Sequence, residues 1–134
     1  MFFRKKQPPI RSLIGEGSVI KGELHFRDGL RIDGHVEGDV IAEGDGDNLL
    51  VISENAKVTG RVQAGHVIIN GTVEGPVRTS ALLELHPKAR IKGDVAYQAL
   101  EMHQGALIDG ELRPLPPATR DAEVLKLEHQ PSQQ

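Results

Sequence analysis

Aliphatic residues and glycines recur along most of the chain in a five-residue unit, aliphatic-x-Gly-x-aliphatic. The unit occurs six times, and its glycines are Gly22, Gly38, Gly60, Gly75, Gly93 and Gly110. Aliphatic and polar positions alternate around each glycine, which predicts short β-strands with one buried face. Successive glycines are 16, 22, 15, 18 and 17 residues apart. The unit therefore marks an internal structural repeat.

Other positions counted from each glycine also keep their character. The fourth residue before it is small, at Ser18, Gly34, Ala56, Gly71, Ala89 and Ala106. The eighth residue before it is aliphatic or Met, at Ile14, Leu30, Ile52, Val67, Leu85 and Met102. We predict an all-β solenoid of six turns, here called rungs, in which equivalent residues stack in columns. Rungs of this length hold about three short strands each and stack about 4.8 Å apart.

The small and glycine positions are predicted to be the crowded points of the coil. A large side chain there would collide with its equivalent in the next rung, and each repeat glycine is expected to need a conformation or a closeness that only glycine allows. Aromatic residues make up only 3% of the chain, which indicates an interior too narrow for large rings.

The longest spacing contains the polar segment 43–48, which we predict to be a surface loop inserted into one rung. Asp45 and Asp47 suggest a calcium loop, but the segment lacks the 12-residue spacing and the closing glutamate of such a site. We therefore expect no metal there.

Charge divides the chain into three segments. Residues 1–12 carry a charge of +4, residues 13–113 carry −6, and residues 114–134 carry −1. We predict a flexible N-terminal tail (1–12), a β-helix polymerisation domain (13–113) and a flexible Pro-containing C-terminal tail (114–134). The acidic central segment argues against nucleic-acid binding, which needs a basic surface. The absence of cysteine and of a long apolar segment favours a reducing, cytoplasmic location.

A solenoid has two open ends, each with unpaired strand edges and an exposed section of core. The sequence supplies no obvious capping helix for either end: residues 119–128 could form a short helix, but a flexible tail is favoured there. The ends are therefore predicted to stack on those of other copies. The residues expected at this polymerisation interface are Ile14, Ile20, Leu24, Leu100, Met102, Leu107, Ile108 and Leu112.

The first six residues combine two aromatic side chains with three cations. Membrane binding is one interpretation of this head, made of Met1, Phe2, Phe3, Arg4, Lys5 and Lys6. A single head would bind weakly, whereas a filament that carries many would bind strongly. The alternative is a charged, solubilising start of the chain.

Residues 13–112 resemble the bactofilins, a family of bacterial β-helical cytoskeletal proteins. Segments 14–40 and 66–77 are similar to the first and middle rungs of that family, and the head is similar to its membrane-targeting segment. The resemblance implies a right-handed, roughly triangular β-helix that forms filaments without nucleotide on the inner face of the cytoplasmic membrane. It also implies a scaffold for cell shape, with peptidoglycan-modifying enzymes or other bactofilins as partners.

Two alternatives remain at this point. One is a β-helix enzyme of the acyltransferase or carbonic anhydrase type, although the repeat is not a hexapeptide and no polar residues converge on an evident site. We expect no enzyme activity and no cofactor. His86 and His103 fall one rung apart and are predicted to stack as a surface pair. The other alternative is an adaptor that does not polymerise and uses the rod as a docking surface.

Overall fold

The computed structural model describes residues 9–44 and 47–116, and every regular element within them is a β-strand. Glycine or polar residues interrupt the aliphatic alternation in each repeat, so most strands span three or four residues. All pairings are parallel, as a coil that always turns in one direction requires. The predicted all-β solenoid of six rungs is confirmed. Residues 1–8, 45–46 and 117–134, which include most of both predicted tails, lie outside the described residues.

Each rung contributes one strand to each of three faces. Face 1 contains β1 (Ser12–Ile14), β4 (Gly29–Ile32), β7 (Leu49–Ile52), the second halves of β9 (Val62–Ile69) and β11 (Val77–Leu85), and β14 (Leu100–Met102). Face 2 contains β2 (Val19–Lys21), β5 (His35–Glu37), β8 (Lys57–Thr59), β10 (Thr72–Glu74), β12 (Arg90–Lys92) and β15 (Leu107–Asp109). Face 3 contains β3 (Leu24–Phe26), β6 (Val40–Ala42), the first halves of β9 and β11, β13 (Val95–Tyr97) and β16 (Leu112–Pro114).

Parallel register places equivalent aliphatic side chains above one another inside the rod. On face 2, Val36 pairs with Val58, and Val58 pairs with Val73. None of the three is exposed to solvent. Burial of an aliphatic side chain contributes roughly 1.5–3 kcal/mol before the entropy of ordering is subtracted. Because each rung packs mainly on its two neighbours, cohesion is distributed along the rod.

The predicted small position is one column at the corner between faces 1 and 2. Its members Ala56, Ala89 and Ala106 are buried, and a Cβ added at Gly34 would lie 2.5 Å from the carbonyl oxygen of Ser18 in the preceding rung. The corner leaves no space for a larger side chain because the backbone of one rung lies against the backbone of the next.

The column predicted eight residues before the glycines is wrong in two rungs. Leu30 and Val67 do not stack with Ile14, which pairs with Ile32. Ile69, two residues after Val67, continues the same column in rung 4. In rungs 2 and 4 the corner between faces 1 and 2 is shorter by two residues, so a constant offset from the glycine crosses into the neighbouring column.

Two further expectations about side-chain size and exposure need correction. Phe26 lies in the core with 7% exposure, so the interior does accept a ring. It pairs with Ala42 in the next rung, whose small side chain leaves room. The inserted segment 43–48 is not wholly a surface loop, because Asn48 is 7% exposed and its Oδ1 accepts a hydrogen bond from the Gly65 nitrogen at 2.5 Å.

The repeat glycines occupy the corner between faces 2 and 3, where successive rungs meet backbone to backbone. A Cβ added at Gly75 would lie 2.1 Å from the carbonyl oxygen of Gly60, and the φ angle of Gly75 is +152°. The same contact with the preceding glycine recurs at Gly38, Gly60, Gly93 and Gly110. Gly22 belongs to the first rung, and nothing lies within 4 Å of a Cβ added there.

Replacement of Gly75 by alanine is therefore expected to destabilise the rod. The new methyl group meets backbone atoms that cannot move without separating two rungs, and we expect a loss of about 2–5 kcal/mol. The midpoint of urea unfolding, followed by circular dichroism, measures the effect. Gly15→Ala is the matched control, because nothing lies within 4 Å of its added Cβ and its φ angle is not positive. Equal midpoints for the two variants would contradict the crowding argument.

Candidate functional site: the two ends of the rod

The terminal rungs leave one edge of each face unpaired within the described residues. On face 2, for example, β2 pairs only with β5 and β15 pairs only with β12. A parallel strand directs its backbone N–H and C=O groups to both sides, so each terminal strand presents one set to the outside. The ends are templates to which a further rung can add.

The structure places every predicted interface residue in the first or the last rung. In the first rung, Ile14, Ile20 and Leu24 face inward and are partly buried. In the last rung, the two partly buried residues are Leu100 and Ile108, and the three more exposed ones are Met102 (45%), Leu107 (58%) and Leu112 (47%). The inward residues are covered on one side only, because no further rung closes the core.

Leu107 differs from the other predicted residues because it points away from the core. It pairs with Arg90 on the outer side of face 2, where the middle rungs carry His35, Lys57 and Thr72. A shallow groove along the edge of β12 and β15 is lined by Ile91, Ile108 and Leu107 together with their polar neighbours. An outward leucine at the open edge therefore widens the apolar surface of this end.

Sequence reasoning missed three apolar residues at the first end. They are Ile10 (45% exposed), Leu13 (60%) and Val19 (52%). Val19 occupies the same outer column of face 2 as Leu107, which is polar in the four middle rungs and apolar in the first and last. A comparison of outward positions among rungs would have found it. The inward pattern alone could not, because these residues do not contribute to the core.

All six large hydrophobic side chains that are exposed in the described residues belong to the ends. They are Ile10, Leu13 and Val19 at the first end, and Met102, Leu107 and Leu112 at the last. The large hydrophobic side chains of the described middle rungs are all buried or only partly exposed. This distribution distinguishes the ends from the sides more sharply than any charge does.

Several charged side chains near the ends are paired with one another. Arg113 contacts Glu111 at 2.7 Å and Asp94 at 3.3 Å, and His103 Nε2 lies 3.3 Å from a Glu101 carboxylate oxygen. At the first end, Arg11 lies 3.3 Å from Asp28. These exposed pairs are worth little individually.

At the first end, His25 also contacts two carboxylates. A hydrogen bond to Glu43 raises the pKa of His25 above its ordinary value, and the nearby Glu23 carboxylate acts in the same direction. His25 therefore holds its positive charge more readily than a free histidine does.

The predicted histidine pair is present. The rings of His86 and His103 have centroids 4.8 Å apart and an interplanar angle of 33°. Glu84 accepts hydrogen bonds from His66 at 2.9 Å and from His86 at 3.4 Å. Burial raises the pKa of Glu84, but the hydrogen bonds and charge interactions with the two histidines together outweigh it, and the net shift of this pKa is downward. No group of three or more metal-ligating side chains converges among residues 9–44 and 47–116.

The membrane-binding residues predicted in the head, Met1 to Lys6, lie outside the described residues. The part of the chain that the structure describes contains no helix long and apolar enough to cross a membrane. At the start of the rod, the Arg11 nitrogen donates to the Gly29 carbonyl at 3.0 Å, which ties residue 11 to the second rung.

Comparisons with known proteins agree with this geometry. The bactofilin family model, described as polymer-forming cytoskeletal, matches residues 12–113, which span all six rungs. Comparisons with curated proteins and with solved structures gave no match. The match covers most of the chain, and the repeat, the parallel solenoid and the open ends account for it physically: this protein belongs to the bactofilin family of polymer-forming cytoskeletal proteins.

Proposed function

We propose that this protein polymerises end to end, without nucleotide, into filaments that serve as a scaffold on the inner face of the cytoplasmic membrane. The observation that carries the proposal is the confinement of exposed large hydrophobic side chains to the two ends. Family membership supports assembly of the chain with itself. The experiment that tests it is negative-stain electron microscopy of the purified protein, in which long thin filaments are expected and dispersed particles would favour the adaptor.

Stacking of rod ends satisfies both kinds of unmet interaction at once. Strand edges of two copies complete each other's backbone hydrogen bonds, as in β-strand addition. Met102, Leu112 and their partly buried neighbours then acquire the cover that interior rungs give to equivalent residues. Full burial of each such side chain is worth roughly 1.5–3 kcal/mol relative to full exposure. Several of them per contact are enough to drive assembly.

Membrane attachment through the head follows from the same assembly. One head, Met1 to Lys6, offers two aromatic rings and three cations, each cation worth about 1 kcal/mol near an anionic surface. Because each subunit brings one head, a filament binds with the summed strength of many weak anchors. Such a filament would position cell-wall enzymes or other bactofilins and thereby support cell shape.

A charge in the exposed core of the last rung is expected to stop polymerisation. Ile108→Arg or Met102→Arg would bury an unpaired cation wherever another end stacks on it, which is strongly unfavourable. Sedimentation and negative-stain microscopy should show small particles instead of filaments. Thr72→Arg, outward on a middle rung of face 2, is the matched control and should polymerise normally. If Ile108→Arg stays folded by circular dichroism and still forms filaments, the contact lies elsewhere.

Deletion of residues 2–6 is expected to abolish membrane binding and to leave filaments intact. Co-sedimentation with liposomes that contain anionic lipid measures binding, and microscopy of the same samples verifies assembly. Replacement of Phe2 and Phe3 by serine, in parallel with replacement of Arg4, Lys5 and Lys6 by glutamine, separates the apolar from the electrostatic contribution. Unchanged co-sedimentation of the deletion variant would assign membrane binding, if any, to another part of the chain.

Assembly is expected to be indifferent to ATP and GTP. The repeat glycines occupy rung corners, and in the sequence no glycine-rich loop is followed by the Lys and Ser or Thr that hold nucleotide phosphates. Light scattering in the presence and absence of each nucleotide with Mg²⁺ measures the rate and extent of assembly. A several-fold increase that depends on nucleotide would overturn this part of the proposal.

A further inference from the structure

Face 1 carries a column of outward side chains whose character changes along the rod. From the first rung to the last, this face 1 stripe consists of Leu13, Arg31, Val51, Ile68, Glu84 and Glu101. A cation therefore lies on one side of the middle and a carboxylate on the other, at equal distances. Two aliphatic residues separate them, although neither faces the core.

The two charged residues beside the middle are positioned by neighbours and retain capacity for a further partner. Arg31 donates through Nε to Asp33 at 3.0 Å, and its side chain is 48% exposed. A guanidinium has four other N–H donors. Glu84 is held by His66 and His86, and a carboxylate offers about four acceptor positions. Neither charge is consumed by its present contacts.

The aliphatic pair between them is not required by the fold. Val51 and Ile68 are in register on the outer side of face 1, and both are partly exposed. A polar pair would satisfy the solenoid equally well at these positions, as His35 and Lys57 do at outward positions of face 2. Aliphatic side chains at the centre of a charged stripe are typical of a surface that another protein covers.

The stripe is complementary to itself. A two-fold axis parallel to the strands, between rungs 3 and 4, brings two copies of face 1 together with their rods antiparallel. Rung 2 of one copy then faces rung 5 of the other, so that Arg31 lies opposite Glu84 twice, and Val51 lies opposite Ile68 at the centre. At the extremes Leu13 lies opposite Glu101, where both remain exposed and contribute little.

Residues that follow the stripe on one side are complementary under the same symmetry. At the corner that follows face 1, the axis places Asp33 opposite His86 and Ser53 opposite Asn70. Hydrogen bonds from the Ser53 hydroxyl and from Arg31 lower the pKa of Asp33 below its ordinary value, so this carboxylate is ionised near neutral pH. An anion facing an imidazole and a hydroxyl facing an amide are both favourable contacts.

We propose that two rods pair side by side and antiparallel through face 1, with the Arg31–Glu84 contacts and the Val51–Ile68 contact at the interface. The occupant of this face is thus a second copy of the chain. Six rungs of this face cover on the order of 400 Å² per copy, from strand spacing and rise, against about 800 Å² per partner in a stable interface. Single subunits should not pair, whereas filaments repeat the contact many times. The pairing therefore rests on the end-to-end assembly proposed above.

Charge reversal provides the test, because the two positions exchange roles between copies. Filaments of Arg31→Glu carry only acidic groups at both positions, and filaments of Glu84→Arg carry only basic groups. Each should therefore be single by negative-stain microscopy, with the paired fraction of filament length reduced at least about tenfold from wild type. Preformed filaments of the two variants, once mixed, should pair with each other. Lys57→Glu on face 2 is the matched control and should pair as wild type does.

Crosslinking gives a second measurement that leaves the charges untouched. The chain contains no cysteine, so Val51→Cys and Ile68→Cys each introduce one reactive thiol. Because rungs 3 and 4 are only about 4.8 Å apart, a short bismaleimide should link these thiols across the pair both within and between the variants, so the yield of dimers measures contact through face 1. A yield equal to that of Thr72→Cys on face 2 would overturn face 1 as the interface.

The outcomes separate this proposal from the one on which it rests. Single wild-type filaments, or paired filaments in every variant, would overturn the role of face 1 and leave end-to-end assembly intact. Dispersed particles for wild type would overturn both. Pairing that is lost in each charge variant and restored in the mixture would establish the antiparallel contact, because a merely structural defect in either variant cannot be repaired by the other.

Discussion

Parallel backbone hydrogen bonding between rungs, with its spacing of about 4.8 Å, is the constraint from which the rest of the structure follows. It forces each residue to share its surroundings with the equivalent residues above and below. Where backbones meet at a corner, only a small residue fits, as the position of Gly34 against Ser18 and of Gly75 against Gly60 shows. Where side chains meet inside, like stacks on like, as at Val36, Val58 and Val73. The repeat in the sequence is the consequence.

The same constraint explains why the ends are the place where we propose that subunits assemble. A rung is stabilised by neighbours on both sides, and the first and last rungs lack one neighbour each. The inward side chains of those rungs, such as Ile20 and Met102, remain partly exposed although their equivalents are buried. Outward apolar residues, Val19 and Leu107, extend this surface beyond the section of the core. The proposed end-to-end polymerisation would continue the interaction that folds the rod, and membership of a polymer-forming family supports assembly of the chain with itself.

The sides of the rod are chemically different from its ends. Charges are distributed over the outer columns and mostly paired, as at Lys57 with Glu74 and Arg113 with Asp94. Isolated pairs of this kind contribute little to stability. They keep the faces polar, so that stacking at the ends is favoured over aggregation at the sides. Face 1 departs from this polar pattern at Val51 and Ile68, which are aliphatic. In the proposed two-fold arrangement these residues form the centre of the lateral contact between two rods.

The sequence by itself determined the solenoid, its six rungs, the small and glycine corners and the inward residues of both ends, because each of these repeats at a nearly constant offset. Tertiary structure decided the features that do not recur at a constant distance in sequence from the repeat glycines. The short corners of rungs 2 and 4 moved Leu30 and Val67 into another column, and Phe26 entered the core because Ala42 lies opposite it. Leu13 and Val19 are exposed because they lie in outward columns of the first rung, and only the folded structure shows which columns face outward there. The register between paired strands decides which side chains stack on each other, and only the structure gives that register.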